Sequence, residues 1–213
     1  PEFARLDFSR LRVSNGGGMA VQKATAEKWL KVTGCPVVEG YGLSETSPVA
    51  TANRIDLKEF TGTIGLPVPS TDIAIRDDDG RDVPQGEPGE ICIRGPGVTN
   101  GYENNPQANA EAVRDGWFRT GDLGQLDAQG RLFIAGRLKE IVNRGGEKIS
   151  PREVDEALLE HPGVAQAAAF GVLHPTLGED LAAAVVRRAG AEVDEATLRT
   201  FLFTRLAAFK VPS

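Results

Sequence analysis

Apolar residues follow three different spacings along this chain. In the first stretch, residues 11–14 read as short and extended, and Gly16-Gly17-Gly18 permits a tight turn with unusual backbone angles. Val21, Ala24, Lys28, Trp29 and Val32 then follow helical spacing, and Cys35-Pro36-Val37-Val38 is a short apolar strand. Strand, turn, helix and strand in that order predict a parallel α/β sheet entered near its end. From about Phe60 short strand candidates at 72–76, 90–94, 124–127 and 132–135 alternate with turn clusters such as Asp77-Asp78-Asp79-Gly80 and Asp127-Ala128-Gln129-Gly130. Close-spaced strands with Gly/Asp turns predict a small antiparallel barrel or sandwich. A third pattern begins beyond Lys139. Ser150, Pro151 and Glu153 stand at N-cap, N1 and N3 of a capping box, and Val154, Ala157 and Leu158 give that helix an apolar stripe. Residues 164–172 and 181–186 read as buried strands, and Asp194 as the cap of a second helix that carries Leu198, Phe201, Leu202, Arg205 and Leu206 along one side. The expected fold class is α/β plus β. Residues 1–58 would end an α/β subdomain, 59–138 would form a small antiparallel β-barrel, and 139–213 a small α+β domain.

The 213 residues can hold one large core or two small ones. A net charge of −6 argues against a duplex nucleic-acid partner, which would call for a basic face. No apolar run approaches the ~20 residues a membrane helix needs. Pro1 is not a natural initiation residue, so a targeting segment upstream stays open. Cys35 and Cys92, far apart and in apolar surroundings, read as buried reduced thiols of a cytoplasmic protein. His161 and His174 have no metal-ligand spacing, and His161, before Pro162 at a helix end, reads as a solvated cap. No Ser-His-Asp or Cys-His arrangement is visible.

The densest chemistry lies in Val38-Glu39-Gly40-Tyr41-Gly42-Leu43-Ser44-Glu45-Thr46. Such a segment can offer backbone N–H groups and the Ser44 hydroxyl to a phosphate, the Tyr41 ring to a base and the Glu45 carboxylate to a divalent cation. Thr120-Gly121-Asp122 follows further along the chain. Arg144-Gly145-Gly146-Glu147-Lys148 reads as a flexible basic loop but lacks the spacing of a P-loop.

These motifs, with Gly136-Arg137-Leu138-Lys139-Glu140, resemble in residues and order the adenylate-forming acyl-CoA synthetase superfamily. The resemblance covers nearly the whole chain. It implies an ATP-dependent acid–thiol ligase in which an acyl carboxylate attacks the α-phosphorus of ATP and the acyl group then passes to CoA. It implies ATP/AMP, Mg²⁺ and CoA as ligands and a carboxylic acid as substrate. Ser44 and Glu45 become the catalytic candidates, with Glu45 also the metal ligand. The family usually has Thr where this chain has Ser44, so the hydroxyl is kept with looser rotamer control. Gly17, Gly18, Gly40, Tyr41 and Gly42 would frame the nucleotide and acyl pocket, with Met19 at an acyl tunnel or in plain core. Asp122 would take the ribose hydroxyls, since a carboxylate offers a cis-diol two acceptors and no competing donor; Arg137 would reach the ribose or phosphate, and Ile134 would pack near the sugar. Lys139 would be the hinge of the small domain, and Gly145 and Gly146 would line the pantetheine channel.

Leu6-Asp7-Phe8-Ser9, Gly16-Gly17-Gly18-Met19 and the segment 64–71 look like bacterial long-chain fatty-acid–CoA ligases, whereas 143–151 and 206–212 look more like oxalate–CoA or coumarate-type ligases. A diverged ligase and a recombined chain both account for this. The family's Ser/Thr/Gly-rich phosphate loop is absent, as is its lysine beyond the Lys-Val-Pro segment. Lys210 is not that lysine. The chain is therefore expected to be a fragment, inactive alone. A medium- or long-chain fatty acid is the expected substrate. A carrier-protein-loading adenylation domain, a fatty-acyl-AMP ligase and an inactive nucleotide-binding fragment remain alternatives, as do a peripheral membrane contact and a homodimer.

Overall fold

The computed structural model describes residues 2–213 and divides between Ile134 and Ala135 into two units. In the first, β1 (Ser14–Gly16) lies parallel to β2 (Val37–Tyr41), with α1 (Lys23–Thr33) between them in the chain. Helix α1 stops at Gly34, whose φ of +70° lets its N–H reach the Leu30 carbonyl. The Trp29 indole donates to Ser14 Oγ at 2.9 Å and holds α1 against β1. The strand expected from Cys35 starts two residues later. Thr33 Oγ1 accepts the Cys35 N–H at 3.1 Å, so the chain leaving the helix is tied back before it can enter the ladder. β3 (Thr51–Ala52) and β4 (Leu66–Pro67) add antiparallel, so the sheet β1-β2-β3-β4 is mixed.

A second sheet is antiparallel throughout its registered pairs. It contains β5 (Asp72–Arg76), β6 (Gly89–Arg94), then α2 (Pro106–Ala112) leading to β7 (Val113–Arg114), and β8 (Trp117–Leu126). The order is β5-β6-β8-β7, and β9 (Leu132–Arg137), which begins in this unit, pairs with β8. The short strand expected at 124–127 is the tail of ten-residue β8. Gly121 and Asp122 hid its first half because they break the apolar alternation. Between the pairs Glu90↔Leu123 and Cys92↔Arg119, Ile91 alone faces Thr120, Gly121 and Asp122, which makes a bulge. Tyr41, Ala50, Ile64, Ile75, Ile91, Ile93 and Leu132 form this unit's core. Cys35 and Cys92 are buried free thiols.

In the second unit β10 (Val142–Arg144) and β11 (Glu147–Ile149) form a hairpin, and β12 (Val164–His174) and β13 (Gly178–Arg187) form another. The sheet order is β11-β10-β13-β12. Helices α3 (Pro151–Leu159) and α4 (Glu195–Phe203) share one core with it, built on Val142, Ile149, Val154, Leu158, Leu181 and Leu202. Three sequence expectations need correction. First, β12 and β13 are not buried strands. Alternate side chains leave the core, so Phe170 and Val186 are exposed and Leu173 is 94% exposed. Second, Ser150 stands at the N-cap of α3 but makes no cap bond. Its hydroxyl donates to the Ala135 carbonyl, and the Glu153 carboxylate goes to Lys210 Nζ at 2.7 Å instead of back to the cap. Longer-range partners outbid the local ones. Third, 144–148 is no flexible basic loop. Gly145 and Gly146 are the two turn residues of a tight hairpin, with φ of +60° and +99°. Arg144 is neutralised, with Nε 2.7 Å from Asp180 and its Nη1 donating to the Phe209 carbonyl. Asp194 does cap α4, accepting the Thr197 N–H at 2.8 Å. His161 Nδ1 accepts the Gly163 N–H, and its ring stands edge-on to Phe201 at 4.8 Å. No helix among the described residues is long and apolar enough to cross a membrane.

Candidate functional site

β2 ends in Gly40-Tyr41-Gly42 and passes directly into a 3-10 turn, Ser44–Thr46. Close approach requires a glycine at Gly42 and leaves Gly40 tight. A Cβ on Gly42 would lie 1.7 Å from the Pro48 carbonyl oxygen, and one on Gly40 would lie 3.3 Å from the Thr51 oxygen. Gly17 backs onto the Gly40 carbonyl with room for little more than ordinary contact. Gly18 needs its glycine for φ, +77°, rather than for space. The turn is locked by buried Thr46, whose hydroxyl accepts the Leu43 N–H at 2.9 Å and lies within bonding distance of the Leu43 and Pro48 carbonyls. Ser44 and Glu45 are thereby fixed at the mouth of the strand.

Tyr41 and Asp122, 81 residues apart, meet directly: the phenol donates to Asp122 Oδ2 at 2.7 Å. The bulge in β8 makes this contact. Gly121 takes φ +72°, its N–H donates to Glu90 Oε1 at 3.0 Å, and Thr120 Oγ1 accepts the Asp122 N–H at 3.1 Å while donating to the Ile91 carbonyl. Buried Glu90 is itself charge-balanced by Arg119, at 2.6 Å. Two carboxylates therefore share the work. Glu90 braces the bulge, and Asp122, 4% exposed, is aimed by it. Ile134 packs against the core cluster that contains Tyr41. Arg137, exposed at the start of the turn Leu138–Glu140, and Lys139, exposed within it, belong to the second unit with Gly145 and Gly146. Met19 is 86% exposed, neither core nor enclosed.

Three residues of the site had no role read for them in the sequence. Thr46 and Glu90 act through bonds no spacing reveals. Tyr102 donates its hydroxyl to Glu45 Oε1 at 2.9 Å, and that bond to the carboxylate raises the phenol above its ordinary range. Its one signal was an aromatic ring after Gly101, as Tyr41 follows Gly40. The carboxylate oxygens of Glu45 suit a hard cation such as Mg²⁺. Among the described residues no three of His, Cys, Asp and Glu gather, so one protein carboxylate would be completed by phosphate oxygens and water.

A family model described as AMP-binding enzyme matches residues 1–103, and one described as AMP-binding enzyme C-terminal domain matches 153–213. A long-chain-fatty-acid–CoA ligase of Yersinia pestis is 46% identical over 211 residues, 99% of this chain and 37% of the relative. One of Bacillus subtilis is 44% identical over 213 residues, 100% of this chain and 38% of the relative. That similarity runs through both units. Among solved structures, ATP-bound MatB from Rhodopseudomonas palustris matches with a TM-score of 0.89 at 36% identity, over 95% of this chain and 40% of that one. The anthranilate CoA ligase AuaEII in complex with anthranoyl-AMP matches with 0.87 at 28% identity, over 99% of this chain and 41% of that one. The chain thus spans little more than a third of the length of the curated relatives cited.

Proposed function

This chain belongs to the AMP-binding enzyme family, and from that premise we propose that it is part of an ATP-dependent acyl-CoA ligase. The single observation that carries the reading is the Tyr41–Asp122 hydrogen bond. Two family-pattern residues from distant segments meet inside one unit, beside the Ser44–Glu45 turn. In this reading residues 1–58 end the large domain's α/β subdomain, 59–138 form its β-barrel, and 139–213 are the mobile C-terminal domain that turns about Lys139.

The acid's carboxylate oxygen attacks the α-phosphorus of ATP and expels pyrophosphate; the CoA thiol then attacks the acyl carbon and expels AMP. The protein's part is positioning and charge stabilisation. Asp122 accepts from the ribose hydroxyls while the Tyr41 phenol fixes its orientation. In this reading the ring of Tyr41, a residue only 8% exposed, stacks on adenine. Ser44 donates to the α-phosphate, and Glu45 would hold Mg²⁺. When bound, that ion would offset the phosphate charge that builds up as pyrophosphate leaves. Arg137 reaches the ribose or phosphate, and Gly145 and Gly146 border the pantetheine path. The chain taken alone is inactive in this reading, because no phosphate loop or Gly-Lys lysine is in it. The favoured acid is a medium- or long-chain fatty acid, because relatives named for that activity match across both units.

Pyrophosphate–ATP exchange on the full-length protein carrying this sequence tests the reading, with acids from oxalate through octanoate to palmitate. Exchange should appear, peak with the fatty acids and fall by about 10²-fold or more in Asp122→Asn. No exchange with any acid would sink the reaction. A peak at oxalate would sink the substrate class alone, and acyl transfer to a holo-carrier but not to CoA would reassign the acceptor.

A further inference from the structure

The segment 97–109 is built against the Ser44–Thr46 turn although nothing in its sequence marks it as part of a site. Its backbone is joined to the turn at Glu45, whose carbonyl accepts the Thr99 N–H at 2.8 Å. Gly97 lies so close that a Cβ there would come within 2.9 Å of the Thr46 oxygen. Three residues beyond Thr99, the Tyr102 hydroxyl donates to Glu45 Oε1 at 2.9 Å. Glu45 is thus gripped at both ends, main chain and carboxylate, by one short segment.

Tyr102 is in turn clamped from behind. The Asn109 side chain accepts the Tyr102 N–H at 2.6 Å and donates to the Tyr102 carbonyl at 3.0 Å, so one amide satisfies both backbone groups of a single residue. Asn109 sits on α2, whose start is fixed by Asn105 accepting the Ala108 N–H at 3.1 Å. Gly101 is needed to let the chain pass. Its φ is +132°, and a Cβ would meet Asn109 Oδ1 at 2.8 Å. Helix, amide, tyrosine and carboxylate form one chain of contacts ending on Glu45.

We propose that Tyr102 is a positioning residue for the cation site: held by Asn109, it fixes the rotamer of Glu45 so that the carboxylate meets Mg²⁺ with its orientation already set. The inference rests on the reading of Glu45 as the cation ligand. A carboxylate can accept about four hydrogen bonds or metal contacts, and the phenol uses one, so holding and ligating are compatible. Fixing the ligand removes rotamer freedom that metal binding would otherwise have to remove. Outer partners of metal ligands typically account for 10–100-fold in metal affinity.

The test uses the full-length protein and two readouts: the Mg²⁺ dependence of pyrophosphate–ATP exchange, and Mn²⁺ affinity in the presence of ATP by electron paramagnetic resonance. Tyr102→Phe keeps the ring and removes the hydroxyl. It should raise the half-saturating Mg²⁺ concentration and weaken Mn²⁺ binding by about 10-fold each, with kcat largely restored at saturating Mg²⁺. Asn109→Ala leaves the hydroxyl but frees its carrier, and should shift both in the same direction by less. In Glu45→Gln, adding Tyr102→Phe should cost nothing more. If Tyr102→Phe leaves both metal readouts at their starting values while Glu45→Gln destroys them, Tyr102 is mere packing and the inference fails with the ligase reading intact. If Glu45→Gln itself leaves metal dependence unchanged, the reading of Glu45 fails, and this inference with it.

Discussion

Gly42 leaves no room for a side chain, since its Cβ would sit 1.7 Å from a backbone oxygen that the next turn holds in place. Gly42→Ala should therefore push the Ser44–Thr46 turn off β2 and destabilise the first unit by about 3 kcal/mol, read by thermal melting. Cys92 gives a second test at this scale. Burial first, and the Glu90 carboxylate next, push its thiol up from 9.0 to about 11. The folded chain keeps that proton where the unfolded chain has lost it. The stability Cys92 contributes is thus complete below pH 9 and is lost as pH rises through about 11. Urea unfolding across that interval should show a decline that Cys92→Ala flattens; an equal slope in both proteins would mean the thiol ionises normally when folded. The family resemblance singled out Tyr41 and Asp122 from distant segments, and the structure joins them by a hydrogen bond that no local spacing announces. Glu90, Thr46 and Tyr102 were not legible, because each acts through a bond whose partner no local spacing specifies.

Elements were legible where local preference and tertiary structure agree. Asp72–Arg76 alternates cleanly and forms β5 with those bounds, and Asp194 caps α4. They were misread where a distant partner won, as at Ser150, or where covering was assumed, as on β12 and β13. The hairpin turn between β10 and β11 offers a clean separation of backbone from packing. A Cβ on Gly146 would meet nothing within 4 Å, yet φ there is +99°. Gly146→Val should cost roughly 1–2 kcal/mol through backbone conformation alone, and Gly146→Asn clearly less, because Asn visits the left-handed region more readily. Chemical denaturation of the two variants decides it. Equal losses would point to a lost contact of the turn instead.

Across the whole molecule the division at Ile134 leaves two cores that share no residue, one around Ile91 and Ile93 and one around Leu158 and Leu181. Both tryptophans, Trp29 and Trp117, lie in the first unit, so their fluorescence reports on it alone while circular dichroism sees both. Ile93→Ala should shift the fluorescence transition in urea by about 2–5 kcal/mol, whereas Leu181→Ala should leave it in place and move only the dichroism. A fluorescence transition that follows Leu181→Ala would show the two cores melting as one.

The bulge in β8 has an evolutionary consequence. Three residues there face one on β6, so the stretch Thr120, Gly121 and Asp122 adds two residues to β8 that have no partner of their own in the ladder. Because side chains alternate with a period of two, an in-frame loss of Gly121 and Asp122 would turn the bulge into plain ladder without moving any residue on either side to the wrong face. If Asp122 has the proposed ribose role, a lineage released from nucleotide binding sheds the carboxylate in one genetic event and inherits the scaffold intact.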